Sequence, residues 1–221
     1  MGPDVRADEQ LTTNPGGPED PLGESVLEPG GPWCRFFEPV DVRVVIGRYQ
    51  DPEREVDLAA AAADGVPVHR RLTGGGAVVL APGSLVIALR LRVGAPGTAP
   101  VLALVDPVVA AAAAAAGAPP LLSRGLGDLA VGENGVERKV LGSSLRRRGD
   151  VAGYLGVLLV DDLVPLMERY LRPPSRRPGY REDRDHRAFC SHLGRHGVAF
   201  PDLRSRIETY CFDRLAARSA T

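Results

Sequence analysis

His69-Arg70-Arg71-Leu72-Thr73-Gly74-Gly75-Gly76-Ala77-Val78-Val79-Leu80-Ala81-Pro82-Gly83-Ser84 is the stretch around which the chain is organised. Two arginines end a short extended run, a Thr-Gly-Gly-Gly turn follows, and an apolar strand leads through Pro82-Gly83 into residues 85–93. Three consecutive glycines remove every Cβ from the turn, so the backbone can enter φ > 0 and a ligand can lie against bare amides. Successive N–H groups of such a turn form an anion-binding concavity. Arg70 and Arg71 beside it carry the side chain best suited to bidentate phosphate or carboxylate recognition. A glycine triplet alone serves a plain hairpin connection equally well.

Outward from this unit, Leu85, Ile87, Leu89, Leu91 and Val93 share one face of a strand while Arg90 and Arg92 lie on the other, the period-2 pattern of a half-buried strand. Upstream, residues 34–37 and 42–46 are rich in aromatic and β-branched side chains and are separated by Glu38-Pro39, which predicts a two-stranded hairpin. Residues 53–64 are Ala-rich and predict a helix ended at Gly65. Residues 22–28 predict one or two helical turns before Pro29-Gly30-Gly31-Pro32.

Downstream, Asp106 as N-cap and Pro107 at the first helical position open a helix through the alanine run to Gly117. Strands are expected over residues 127–131 and 139–145. The nearly all-apolar run 154–160 predicts a central strand. A helix follows from Asp162, with Leu163, Leu166, Met167, Tyr170 and Leu171 at helical spacing. A polar, Arg-rich loop covers residues 175–185, and a final amphipathic helix from Pro201 puts Cys211 on its apolar stripe. Residues 1–19, rich in Pro, Gly and acids, predict a disordered leader. Residues 20–221 then form one α/β (α+β) domain with a mixed, largely antiparallel sheet flanked by helices.

Composition narrows the function. With 27 basic and 28 acidic residues in 221, the chain lacks the general basic field of a nucleic-acid-binding protein. No apolar run approaches the roughly 18–20 residues of a membrane helix, and the first residues lack a signal-peptide core. Cys34, Cys190 and Cys211 are odd in number and widely spaced, which predicts neither a disulfide framework nor a metal site. The expectation is a cytoplasmic protein with no nucleic-acid or membrane partner.

Lys139 is the second anchor, because it is the only lysine in the chain. It could be a strand-end lysine facing solvent. In a composition that otherwise uses only Arg, however, it points to a need for a compact ammonium in place of a planar fork. Asp128 on the preceding strand either caps a turn or faces the same pocket. Glycine amides, arginines, a lysine and an acid together point to a site that activates a carboxylate or binds a nucleotide phosphate.

These residues carry a resemblance. Thr73-Gly74-Gly75-Gly76-Ala77-Val78 with the preceding arginine pair resembles the signature of lipoate–protein ligases. Val45-Ile46-Gly47-Arg48-Tyr49-Gln50-Asp51-Pro52 is similar to that family's upstream segment, and Gly127-Asp128-Leu129 to its Asn-Asp-Leu. Lys139-Val140-Leu141-Gly142-Ser143-Ser144 resembles its Lys-x-x-Gly-Ser-Ala motif. Pro178-Gly179-Tyr180-Arg181-Glu182-Asp183-Arg184-Asp185-His186 and Phe189 resemble a loop of some ligase-like members. The resemblance spans roughly residues 20–215. It implies the catalytic fold shared with biotin–protein ligases and octanoyl/lipoyl transferases.

The implied reaction has two steps. Lipoate, or a medium-chain fatty acid, and Mg-ATP form an acyl-adenylate. The acyl group then passes to a lysine on the lipoyl carrier domain of a 2-oxoacid dehydrogenase or a glycine cleavage protein. By motif match, Lys139 is the catalytic residue. Arg70, Arg71, Gly74, Gly75, Gly76, Ala77, Asp128, Gly142, Ser143 and Ser144 hold acyl group and nucleotide, and Asp128 is also the candidate Mg²⁺ contact.

The chain departs from the family pattern at several positions. Leu80 and Ala81 stand where members often carry His-Asp, Ser84 replaces a common Asn, and Gly127 replaces the Asn of Asn-Asp-Leu. Tyr154-Leu155-Gly156-Val157 stands where His-His-Gly-Thr is usual. Two alternatives follow. One is octanoyl or lipoyl transfer through a thioester on Cys190, a loop cysteine with histidines nearby. The other is a non-catalytic paralogue that binds acyl group, nucleotide or carrier. In the ligase reading, Arg71, Lys139, Asp128 and the glycine triplet converge on one pocket.

Overall fold

The computed structural model describes residues 11–12 and 20–220. Of the leader, only Leu11 and Thr12 lie among them, as a short strand (β1, Leu11–Thr12) paired in parallel with Val68 and His69. The expectation for the rest of residues 1–19 lies outside the described residues.

The strands form two sheets. A small mixed sheet runs β1-β4-β3-β5, with β3 at Arg43–Ile46, β4 at Val68–Arg70 and β5 at Val78–Leu80. A six-stranded antiparallel sheet contains β2 (Cys34–Phe37), β6 (Ser84–Arg92), β7 (Leu121–Arg124), β8 (Asp128–Glu133), β9 (Val136–Arg148) and β10 (Val151–Leu159), in the order β2-β6-β10-β9-β8-β7. As the unbroken apolar run required, β10 is interior, between β6 and β9, and buried along almost its whole length.

The hairpin expected from residues 34–46 does not form, because its two halves belong to different sheets. Val44, Val45 and Ile46 are all fully buried, so β3 needs cover on both faces and a partner on each edge. It finds these in β4 and β5, while β2 lies on the edge of the large sheet beside β6. Between them, the Glu38 carboxylate accepts a hydrogen bond from Gly83 N at 2.7 Å and fixes the crossing.

Six α-helices complete the described architecture: α1 (Pro52–Glu55), α2 (Leu58–Ala63), α3 (Ala99–Ala115), α4 (Val164–Tyr170), α5 (His186–Phe189) and α6 (Phe200–Leu215). The helix expected over residues 53–64 is split into α1 and α2 because the Asp57 carboxylate caps Ala60 N at 3.0 Å and restarts the helix there. Asp106 is not an N-cap. α3 starts eight residues earlier behind Thr98, with Pro100 in its first turn and Pro107 inside it. A proline there leaves the Ala103 carbonyl without its helical donor. Ala103 and Pro107 are both exposed, so water can take that bond.

α3 and α6 cover one face of the large sheet and bury Leu85, Ile87, Leu89 and Leu91 against Val101, Val105, Val109, Leu203, Ile207 and Cys211. Each leucine or isoleucine so buried contributes about 1.5–3 kcal/mol. The opposite face of β6 is also covered: Val86 and Ala88 pack with Leu22, Val26, Val45 and Leu80. Arg90 on that face is buried as well, its guanidinium donating to the carbonyls of Glu28, Gly31 and Ala220. The strand is therefore buried on both faces.

Candidate active site

Between the two sheets, roofed by α4, α5 and residues 172–181, lies a cavity of about 570 Å³. Its wall gathers Arg71, Gly75, Gly76, Ala77, Asp128, Lys139, Gly142, Ser143, Ser144 and Cys190, the expected site residues from four separate stretches of chain. Arg70 and Gly74 are outside that wall. Most of the lining is apolar, with Leu22, Val78, Leu155, Val157, Leu159, Met167, Leu171 and Phe189. Its polar part includes Asp128, Lys139, Ser143 and Ser144.

A β-bulge aims Lys139. β8 and β9 pair Leu129 with Leu141 and Ala130 with Lys139, so Val140 is an extra residue. In an uninterrupted strand residues 139 and 142 would face opposite sides. The bulge puts both on the cavity side, while Val140 and Leu141 are both fully buried. Asp128 is the register partner of Gly142, and its Oδ1 lies 2.7 Å from Lys139 Nζ. The ammonium lies directly over Gly142, where a Cβ would come within 2.6 Å of Nζ. The lysine side chain is 29 % and the aspartate 14 % exposed, so the pair faces a partly desolvated space.

The second oxygen of Asp128 accepts a hydrogen bond from the Tyr180 hydroxyl at 2.8 Å. Burial and the Asp128 charge push the Tyr180 pKa up, which keeps the phenol a donor. Gly127, with φ at 116°, offers its carbonyl to Ser143 N at 2.7 Å and Ser143 Oγ at 2.9 Å. A Cβ there would meet Ser143 Oγ at 2.4 Å, so glycine at this position suits Ser143 in its present place.

Cys190 reaches the cavity through the same strand. Lys139 and Cys190 form a bridge, and Ser191 N donates to the Lys139 carbonyl at 2.8 Å. Glu133 secures the segment by accepting from Ser191 Oγ and from His196 Nε2. Burial pushes the Cys190 thiol up, against the opposing pull of Lys139 and Arg181, and so disfavours a resident thiolate.

The glycine turn is built around Arg71. Its guanidinium donates to Gly74 O at 2.7 and 3.1 Å, to Gly76 O at 2.7 Å, to Thr73 Oγ1 at 3.1 Å and to Val45 O at 3.4 Å. Burial lowers its pKa to about 10. Gly75 alone of the triplet has positive φ, at 96°, and a Cβ there would lie 2.9 Å from the guanidinium. Thr73 Oγ1 and Ser144 Oγ, 2.7 Å apart, tie the turn to β9. Arg70 is spent elsewhere, on the carbonyls of Gly47, Arg48 and Gln50. Both arginines thus shape backbone, and neither offers an open fork to a ligand.

Of the family departures, Leu155 and Val157 line the cavity. Tyr154 points the other way, into the core beneath α3 and α6, while Leu80 and Ala81 are buried away from the cavity wall. Tyr180, Arg181 and His186 were not singled out from sequence. The segment carrying them resembles a family loop, but nothing in its polar composition says which side chains turn inward. Burial lowers the His186 pKa to about 4, with Arg181 next in effect, so this wall contributes a neutral imidazole.

Among the described residues no cluster of three or more His, Cys, Asp or Glu side chains is arranged to hold a metal ion. Asp128 has one partner on each oxygen, Lys139 on Oδ1 and Tyr180 on Oδ2. No described helix is long and apolar enough to cross a membrane.

Residues 19–200 match the family described as lipoyl protein ligase A/B catalytic domain. Among solved structures, a bi-partite lipoate protein ligase from Thermoplasma acidophilum superposes with a TM-score of 0.71 at 21 % identity, over 82 % of this chain and 70 % of that one. A lipoate-protein ligase A bound with ATP gives 0.68 at 21 % identity, over 82 % and 71 %. A putative lipoate protein ligase from T. acidophilum with bound lipoic acid gives 0.66 at 20 %, over 82 % and 71 %.

Proposed function

The chain belongs to the lipoyl protein ligase A/B catalytic-domain family, and we propose that it is an acyl-adenylate-forming lipoate–protein ligase. The observation that carries this reading is the Lys139–Asp128 pair in the wall of a cavity that also has an extensive apolar lining. Lipoate or a medium-chain fatty acid lies with its chain along Leu155, Val157 and Leu159 and its carboxyl group toward Lys139. A carboxylate oxygen bonds to the α-phosphorus of ATP, the bond to the β-phosphate oxygen breaks, and pyrophosphate leaves. The amine of a carrier lysine then bonds to the acyl carbon, the acyl–phosphate bond breaks, AMP leaves, and the amine proton passes to solvent.

Negative charge grows on the α-phosphate oxygens in the first step and on the acyl carbonyl oxygen in the second, and a preorganised ammonium beside both stabilises it. Asp128, held by Tyr180, keeps that ammonium in place. Magnesium belongs to the Mg-ATP substrate, carried on nucleotide phosphates in the usual way. ATP and lipoic acid occupy the relatives just described, which supports the same ligands here. The E2 lipoyl domain named with the archaeal ligase supports a lipoyl carrier domain as acceptor, which we extend to that of a 2-oxoacid dehydrogenase or glycine cleavage protein, with the reaction set in the cytoplasm.

A second reading rests on Cys190, whose thiol shares the cavity wall with Lys139: acyl transfer through a Cys190 thioester. The test of both is purified protein with Mg-ATP and lipoate or octanoate, read by mass spectrometry. Acyl-adenylate with no acyl-protein adduct supports the ligase. An ATP-independent acyl adduct from a thioester donor, lost in Cys190→Ser, supports the transferase. Ligand binding with neither product leaves a non-catalytic paralogue.

A further inference from the structure

Three arginines of the described chain are more than nine-tenths buried: Arg71, Arg90 and Arg181. Arg71 and Arg90 spread their donors over backbone carbonyls, as a buried guanidinium must to offset its lost hydration. Arg181 does not. It is 7 % exposed, yet its one side-chain hydrogen bond runs from Nε to Arg184 O at 3.0 Å. A guanidinium has five N–H donors, so the four on its two terminal nitrogens are unspent. No described carboxylate lies within ion-pair distance of it; nearby, Asp183 pairs with Arg177 and Asp185 caps Ala188 N at 2.7 Å.

We propose that Arg181 is the oxyanion-binding residue of the cavity, receiving a carboxylate or phosphate oxygen of the bound substrate on its terminal nitrogens. The side chain lines the cavity that Lys139 also lines. Its plane is held by the Phe189 ring, 4.7 Å from Cζ to the centroid. A guanidinium stacked in this way has its fork fixed in advance and loses little freedom on binding a planar or tetrahedral oxyanion. The surroundings add to the demand: Lys139 is already neutralised by Asp128, and His186, on the same wall, is neutral. Arg172, Arg176 and Arg177 also line the cavity but are exposed, so Arg181 is its buried cation with donors to spare and no carboxylate at ion-pair distance. It takes over the role that sequence had given to Arg70 and Arg71, whose donors are used.

The identity of the anion, acyl carboxylate or nucleotide phosphate, rests on the ligase reading, but the presence of an anion site does not. The test is calorimetric titration of the full chain and of Arg181→Met and Arg181→Lys with octanoate, its uncharged analogue octanamide, and AMP. Arg184→Met serves as the packing control, since Arg184 stacks on the same ring at 5.2 Å but spends its donors on Glu137 O and Tyr180 O.

A charge-assisted bidentate contact predicts that Arg181→Met loses roughly ten- to a hundred-fold in affinity for one or both oxyanions while octanamide is unaffected. Arg181→Lys should recover part of the loss, and Arg184→Met should not reproduce it. Loss confined to octanoate identifies the carboxylate, and loss confined to AMP the phosphate. Equal oxyanion affinity in wild type and a folded Arg181→Met overturns the assignment, even where acid-dependent adenylate formation upholds the ligase reading. Wild type that binds neither octanoate nor AMP overturns it as well. Arg181-dependent binding without adenylate formation upholds the anion site and removes the ligase.

Discussion

Lys139 Nζ reaches Asp128 Oδ1 at 2.7 Å because Val140 is an extra residue in its strand. Without that bulge the ammonium would turn away from the cavity, toward the core that buries Val140 and Leu141. The chemistry proposed above therefore depends on a register irregularity between two neighbouring strands.

The first prediction concerns the shape of that cation. Lys139→Arg keeps the charge but sets a broad planar fork over Gly142, displacing the acyl carbon from its line of attack. Removing a preorganised oxyanion contact costs about 10²–10³ in rate. Lys139→Arg should fold, keep its melting temperature within a few degrees, and lose adenylate formation on that scale. A folded variant working at wild-type rate would remove Lys139 from the mechanism.

Gly142→Ala moves the same ammonium without touching it. Gly142 is outside the positive-φ region, so alanine brings no backbone strain, but its Cβ would sit 2.6 Å from Nζ and 2.7 Å from Cε. A displacement of about 1 Å in such a group costs up to about 10²-fold. The expected result is a fall in kcat with acid and ATP affinities nearly unchanged. A fall in stability with unchanged kcat would show that the lysine simply steps aside.

Arg71 supports the glycine turn from within, so Arg71→Met should disorder the turn and leave the Gly74 and Gly76 carbonyls without their donor. Each hydrogen bond to a charged group lost in this way costs about 1.5–3 kcal/mol. Chemical denaturation should register a loss of that size. A loss below about 1 kcal/mol, within the range of ordinary surface changes, would mean that the turn holds its shape unaided.

Glu24 gives the turn a pH dependence. Its carboxylate accepts from Leu72 N at 2.7 Å, and burial raises its pKa from 4.5 to about 7, with Asp20 adding and Arg71 opposing. A carboxyl group with a raised folded pKa binds its proton more tightly in the native state. Its share of stability is complete below the unfolded value of 4.5 and is lost as pH rises through 7. Glu24→Gln should abolish this component and be more stable than wild type at pH 8 by on the order of 2–3 kcal/mol, with the difference vanishing near pH 4. Parallel stability profiles for the two proteins between pH 5 and pH 8 would refute it.

Much of the scaffold was legible because periodicity reports burial. The odd positions of β6 and the apolar run of β10 declared the large sheet and its centre, and Lys139, as the one lysine, marked the site. What escaped notice depends on partners far away in sequence. Residues 34–37 and 43–46 look alike in composition, and only β4, β5 and β6 decide which sheet each joins. Pro107 reads as a helix start until its exposed face is known. Arg70, Arg71 and Arg181 are indistinguishable as letters. Whether a guanidinium meets carbonyls or an open cavity is fixed by the turn and loop around it, and sequence spacing does not encode that.

The most direct test of the central claim is acid-dependent exchange of labelled pyrophosphate into ATP by the purified full chain, with lipoate and octanoate as the acids. Adenylate formation predicts exchange that requires the acid, requires Mg-ATP, and falls about 10²–10³-fold in Lys139→Arg. Folded wild-type protein that shows no acid-dependent exchange, or that acylates a carrier domain from a thioester donor without ATP, would contradict it.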